Sequence, residues 1–469
     1  MIVKLKRKTR CTRRNRRYTA PHKEEPMKKL FILILSTFVL LAGCDVGSSS
    51  NNTNNVNNVN NVNNVNNVNN ANYTLLKSEL PREESPDIEP GELADLVDGM
   101  LQFHFDLYGE LAARDSGNII YSPWSIDVAL AMTWAGARNA TETEIAGVMH
   151  FPMDQALVHA GFNSLESRIN GLGAGGDPLA FRLTSANSLW GQENYGFETA
   201  FLDTLAINYG TGLYLLDFAT DPEAARVIIN AWVAAQTNDR ITELLQQGTL
   251  DAMTRLVLVN TLYFKAKWLY EFAPDATSAQ TFHNLAGSDV TVDFMTMDAS
   301  GIPYYEGTGY RAAELPFVGE ETSMIVVMPD AGTFSTFEAA FDGAQLDGIV
   351  QNLALEPYLF MMVPKFDFRY NLSLKSTLEA LGMTDAFQMG TADFTGMHTP
   401  LELYISDVIH EAFIGIDEAG CEAGAATAVI MSGFGEIVEF KLDNPFLFFI
   451  RDNTTGVILF AGRVTDPSL

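Results

Sequence analysis

Apolar residues recur at helical spacing through the first half of this chain and as strand-like runs through the second, and this asymmetry narrows the possible folds most. "LADLVDGMLQFHFDLYGELAA", "SIDVALAMTWAGA" and "INAWVAAQTNDRITELL" have the periodicity of helices with one buried stripe. "RLVLVNTLYFKAKW", "TSMIVVMPD", "YLFMMVPKFDFRY" and "FLFFIRDNTTGVILFAGRV" read as strands, the last as a hairpin turning around Asn453 to Gly456. No repeat of 20 to 50 residues interrupts the order. With 469 residues, 47% of them hydrophobic, the chain can bury a large core. The expectation is one large α+β domain from about Asp95 onward.

The residues before it have other uses. Residues 1–26 are a basic run, and Met27 then opens "MKKLFILILSTFVLLAGC", a complete secretory signal. We read 1–26 as an upstream extension and 27–44 as the signal peptide. Its end, Leu41-Ala42-Gly43-Cys44, resembles the bacterial lipobox, which implies lipidation of Cys44 and a secreted lipoprotein anchored at the cell envelope or surface. Asp45 after it resembles an inner-membrane retention signal. Residues 45–91 begin as a three-residue Asn-Asn-Val repeat, polar, uncharged and too poor in apolar surface to fold, and read as tether and linker. Removing residues 1–44, with their 12 Lys/Arg and 2 Asp/Glu, takes the formal net charge from −28 to −38. A surface so acidic excludes nucleic acid as a partner and argues against adsorption to anionic lipid. With residues 1–26 absent and Cys44 lipidated, Cys421 is the one cysteine left, so no intrachain disulfide is expected.

A search for catalytic constellations is unproductive. His410-Glu411 begins like a zinc-peptidase helix, but Ile414 stands where the second ligand belongs. G-x-S-x-G, a Walker loop and a zinc-type cysteine pair are all missing from the sequence. His104, between two phenylalanines, reads as a packed helical residue. The expectation is a protein that is not an enzyme and needs neither metal nor cofactor.

Residues 417–431, "DEAGCEAGAATAVIM", pose a different question: almost every side chain is small, between two strand-like segments. Six segments in order resemble the serpin family, over about residues 92–469. They are "NIIYSPWSIDVALAMTWAGARNATETEIAGVMHF", "VNTLYFKAKW", "NLSLKSTLEALGMTDAF", "ADFTGM", "ISDVIHEAFIGIDEAG" and "NPFLFFIRDNTTGVILFAGRV". The resemblance implies an α+β fold of three β-sheets and eight or nine helices with an exposed reactive loop. A protease cleaves that loop, is held as an acyl-enzyme, and is dragged across the body as the loop enters the largest sheet. Small, proline-free residues suit a segment that must enter a closed sheet quickly.

The same resemblance assigns residues. Glu418 and Gly420 correspond to the fixed start of the hinge, followed by Cys421, Glu422, Ala423, Gly424, Ala425, Ala426 and Thr427. Strand alternation points Cys421, Ala423, Ala425, Thr427 and Val429 inward and Glu422 outward. Family members usually carry Thr or another small residue at the position of Cys421, so a thiol there implies redox sensitivity. Counting sixteen residues from Glu418 gives Phe434-Gly435 as the reactive bond, suited to a chymotrypsin-like serine protease held in a covalent complex. Met431-Ser432 is the competing bond, and papain-like cysteine proteases are an alternative target. Ser122, Ser125, Asn260 and His410 match the polar cluster where the central strands part, and Trp268 matches the aromatic residue beneath the hinge. A strand of roughly a dozen residues, at about 1 kcal/mol per net hydrogen bond plus buried apolar groups, makes on the order of 10 to 20 kcal/mol available. The alternative is a non-inhibitory member, a monomer like the first, whose loop binds or scaffolds and never inserts.

Overall fold

A computed structural model describes residues 65–70, 73–174, 176–177, 180–299, 301–400, 402–421 and 437–469. The main sheet has eight strands in the order β1 (Val65–Asn70), β2 (Tyr73–Ser78), β5 (Leu213–Leu216), β4 (Phe181–Gln192), β6 (Leu256–Lys267), β16 (Gly420–Cys421), β15 (Ile405–Asp417) and β14 (Phe366–Ser373). A second has seven: β12 (Ala354–Glu356), β9 (Ile302–Gly307), β10 (Tyr310–Pro316), β11 (Thr322–Pro329), β18 (Phe446–Asp452), β19 (Ile458–Val464) and β3 (Ile119–Tyr121). The third joins β17 (Val438–Lys441), β13 (Leu359–Pro364), β8 (Asp289–Ala299) and β7 (Ser278–His283).

Nine α-helices stand among the described residues. They are α1 (Pro90–Arg114), α2 (Pro123–Trp134), α3 (Asn139–Val148), α4 (Gln155–Asn170), α5 (Thr199–Tyr209), α6 (Pro222–Gln236), α7 (Phe334–Glu338), α8 (Gly343–Asn352) and α9 (Lys375–Leu381). The α+β architecture of three sheets and nine helices is the one expected. Local sequence explains the long helix: Glu89 and Glu92 form a reciprocal capping box, Pro90 fits the first turn, and Leu96, Met100, Phe103, Leu107 and Leu111 bury one stripe. α2 has no polar stripe and is buried all round, because it runs through the centre of the molecule behind the main sheet.

Two apolar cores flank that sheet. The larger includes Trp124 of α2, Leu258 and Leu262 of β6, and Ala412 and Ile414 of β15 on the inner face. The smaller seats α6 on the outer face through Ile229 and Val233, against Trp190, Val257, Val259 and Ile409.

Three local readings change. The helix expected through residue 245 stops at Gln236, since Asn238 and Asp239 adopt positive φ, and Asn230 bonds both backbone groups of Leu245 in the irregular stretch that follows. "YLFMMVPKFDFRY" is two strands of different sheets, divided at Pro364, which can donate no ladder hydrogen bond. Finally, part of the stretch 45–91, read from the sequence as a tether and linker too polar to fold, lies on the folded body: Val65–Asn70 of the repeat pair with Tyr73–Ser78 as β1 and β2, and Arg82 bonds Asn163 of α4.

Candidate functional site

The middle of the main sheet is a seam between β6 and β15. Along its lower part the strands pair directly and in parallel, Leu256 through Thr261 against Ile405 through Glu411. At its upper end they diverge, and β16 lies between them, antiparallel to both: Cys421 sits opposite Ala266 of β6 and Ile416 of β15, and Gly420 opposite Lys267 and Asp417.

The lower seam is held by a polar row inside an apolar face. Leu372, His410, Asn260 and Asn187 stand opposite one another on β14, β15, β6 and β4. The fully buried His410 accepts from the Ser122 backbone N–H at Nε2 (3.0 Å), and its Nδ1–H donates to Asn260 Oδ1. Burial holds the imidazole down at about 3, partly offset by the hydrogen bond to Asn260, so the ring is neutral with its proton on Nδ1. Ser122 caps α2 by accepting from the Ser125 N–H (3.2 Å), and Ser125 Oγ donates to Asn187 Oδ1 (2.7 Å). Thus all four polar residues expected at this cluster meet at one place. Among the described residues, Asn260 Nδ2 is buried with no hydrogen-bond partner.

The upper end is built around Trp268, just past β6. Its ring stacks on Phe317 (4.7 Å between centroids), its Nε1–H donates to Asp417 O (3.0 Å), and its backbone N–H to Ala419 O (3.0 Å). Asp417 Oδ1 accepts from the N–H groups of Ala419 and Gly420, an Asx turn that fixes the corner. Glu418 is clamped by Lys365 Nζ (2.8 Å) and Thr277 Oγ1 (2.7 Å). Burial opposes its ionisation, but these bonds outweigh burial and hold the carboxyl below its ordinary value. Gly420 has φ +151°, and a Cβ there would collide with the Ala266 carbonyl oxygen, so only glycine passes between the strands. Cys421 follows on the inner face, 2% exposed within the main core.

Glu422, Ala423, Gly424, Ala425, Ala426, Thr427, the Phe434-Gly435 bond and Cys44 lie outside the described residues. Sequence reasoning missed Lys365, Thr277 and Phe317. Each meets its partner across a sequence gap of about fifty residues or more, and none belongs to a local motif. His104 is buried and paired with Asp127 (2.6 Å).

The central seam of the main sheet is thus paired directly at one end and parted at the other by the first residues of the stretch that leads to β17 of another sheet. The sequence profile described as Serpin (serine protease inhibitor) matches residues 98–467. An uncharacterized serpin-like protein of Methanosarcina acetivorans is 35% identical over 78% of this chain and 86% of its own length. The leukocyte elastase inhibitor of Homo sapiens is 36% identical over 78% and 98%. The native structure of the thermophilic serpin tengpin superimposes with a TM-score of 0.73 at 26% identity, covering 82% of this chain and 97% of its own. Uncleaved ovalbumin gives 0.71 at 28%, covering 80% and 100%. The chain belongs to the serpin family.

Proposed function

We propose that this serpin inhibits a chymotrypsin-like serine protease as a suicide substrate, by cleavage at Phe434-Gly435 and insertion of the loop into the seam. The observation that carries the reading is the register of β16. Continued downward on insertion, the register set by Gly420 and Cys421 would bring Ala423 opposite Phe264 and Ile414, Ala425 opposite Leu262 and Ala412, and Thr427 between Asn260 and His410. Each inward position is therefore small where the walls are apolar, and polar where they are polar. The same register would bring Glu422, on the outer face, opposite Lys265. One parallel ladder between β6 and β15 would be exchanged for two antiparallel ones, the more stable kind per residue.

The N-terminal region completes the proposal. Lipidation of Cys44 would hold the inhibitor at a bacterial cell envelope, as a monomer on its Asn-rich tether.

The test is to mix the intact chain with chymotrypsin and follow it on a denaturing gel, with mass spectrometry of the released peptide. A complex stable to boiling in detergent, with a peptide beginning at Gly435, is expected. Complete cleavage without a complex would overturn it in favour of the non-inhibitory reading. Trapping of a papain-like enzyme instead would move the target class.

A further inference from the structure

The edge of the main sheet beside β5 is closed by the chain's own residues 73–78, upstream of the segment that the family profile covers. Thr74, Leu75 and Leu76 of β2 pair antiparallel with Leu215, Tyr214 and Leu213. The seat is shaped for this strand. A Cβ on Gly212 would collide with the Leu76 carbonyl oxygen, and the three atoms nearest to it all belong to Leu76 and Lys77.

From this edge the segment reaches two other parts of the body. Tyr73 packs edge-on against Trp190 (5.6 Å) and Tyr214 (5.4 Å), the two rings that also contact Trp232 of α6. Lys77 Nζ donates to Gly210 O, Ser78 Oγ donates to Asp203 Oδ1 (2.5 Å), and the Glu83 N–H bonds Ile207 O (2.9 Å), fastening the chain along α5. Arg82 pairs with Glu166 (2.8 Å) and donates to Asn163 Oδ1 (2.7 Å), both on α4. Ile88 then packs over Gly161, and Glu89 caps α1.

Opening the seam requires β6, β4 and β5 to move away from β15 and β14, and α6 to lift from the outer face. The segment joins β5 and the aromatic seat of α6 to α4 and α1, so such a movement must stretch it or detach it. We propose that residues 73–89 are a strap that slows opening of the seam, with the edge of β5 as its docking site. The strap rests on the insertion reading above. Its release speeds entry of the loop, so whatever displaces β2 converts the inhibitor to its inserted form without any protease.

The test uses the full chain as three forms: unaltered, Gly212→Ala and Tyr73→Ala. First, the loop of the unaltered chain is cut with a broad-specificity protease and its urea resistance compared with that of the uncut chain. A large gain is expected, and no gain would overturn the insertion reading and the strap together. Next, the uncut forms are warmed, and the rate at which each becomes urea-resistant is followed. Gly212→Ala is expected to convert about tenfold faster, equivalent to about 1.4 kcal/mol of barrier, and Tyr73→Ala several-fold faster. Hydrogen exchange at Leu213 and Leu215 reports whether β2 has left its seat. Equal rates with β2 displaced, in the presence of the gain, would overturn the strap alone. If Gly212→Ala does not fold, Tyr73→Ala decides by the same rates.

Discussion

The lower and upper ends of one seam are held by different means. Below, β6 and β15 pair directly, through a parallel ladder and the His410–Asn260 contact. Above, the same strands are parted by Gly420 and Cys421, and the corner residues are bonded by Trp268, Lys365 and Thr277. The closed end is the less satisfied of the two. It contains the orphaned amide of Asn260, and an unmet buried donor costs about 1 to 3 kcal/mol. In the proposed inserted form the Thr427 hydroxyl would come between Asn260 and His410 and could accept from that amide. An unmet buried donor thus lies at the closed end of the seam, where the proposed strand would meet it.

The largest expected effect attacks the inward face of the inserting strand. Ala423→Arg would bring a guanidinium opposite Phe264 and Ile414 in the main core, where an unpaired charge is very costly. Inhibition should give way to simple cleavage, with the stoichiometry of inhibition rising at least about tenfold. An unchanged stoichiometry would mean that the register seen at Cys421 does not continue.

A smaller effect is expected at the upper end itself. Gly420→Val puts a β-branched residue at φ +151° against the Ala266 carbonyl, so β16 should be expelled from between the strands. Cys421, now 2% exposed, should then react with a thiol reagent at least about tenfold faster, located by peptide mass. If the thiol stays protected, the two ends of the seam are not independent.

Acid separates the ends by pH. His410 is held at about 3 against an ordinary value of 6.5, so the unfolded chain binds a proton that the native seam refuses, and stability falls as pH drops from about 6.5 toward 3. Glu418 is also held below its ordinary value, 4.5, so the stability that it contributes is complete above that value and is lost only at lower pH. As pH falls from roughly 6.5 to 4.5, amide protection, with the intrinsic pH dependence of hydrogen exchange divided out, should drop at Val408–Glu411 and not at Ile416–Asp417. His410→Gln should flatten that response at the lower end, leaving the acid titration of His159, also held at about 3, as an internal reference.

How much of this was readable beforehand follows from distance along the chain. The α+β class and the small-residue segment lie in local patterns, so sequence alone points to them; the four polar residues of the cluster come only through the resemblance to the serpin family. The Lys365–Glu418 clamp joins residues fifty-three positions apart, and neither side chain differs from an ordinary surface charge until the fold brings them together. β2 was hidden for another reason. "YTLLKS" is short, follows a polar repeat, and becomes a strand only because Gly212 leaves room for it at the edge of β5. Helix α6 was overextended because apolar spacing persists through Leu245, while the chain is turned by Asn238 and Asp239.

The smallest expected effect asks what Trp268 contributes to the upper end. Its ring supplies a floor by stacking on Phe317 at an interplanar angle of 10°, and its Nε1–H supplies a latch on the Asp417 carbonyl. Trp268→Phe retains most of the stack and removes the latch, at a cost of about 1 kcal/mol. The backbone bond from residue 268 to Ala419 is untouched by the change. If the latch restrains the hinge, the uncut variant should insert its loop about fivefold faster on warming, with little change in overall unfolding. If the rate is that of the unaltered chain, the floor alone positions the hinge, and Trp268→Ala, which removes both, should be the variant that frees it.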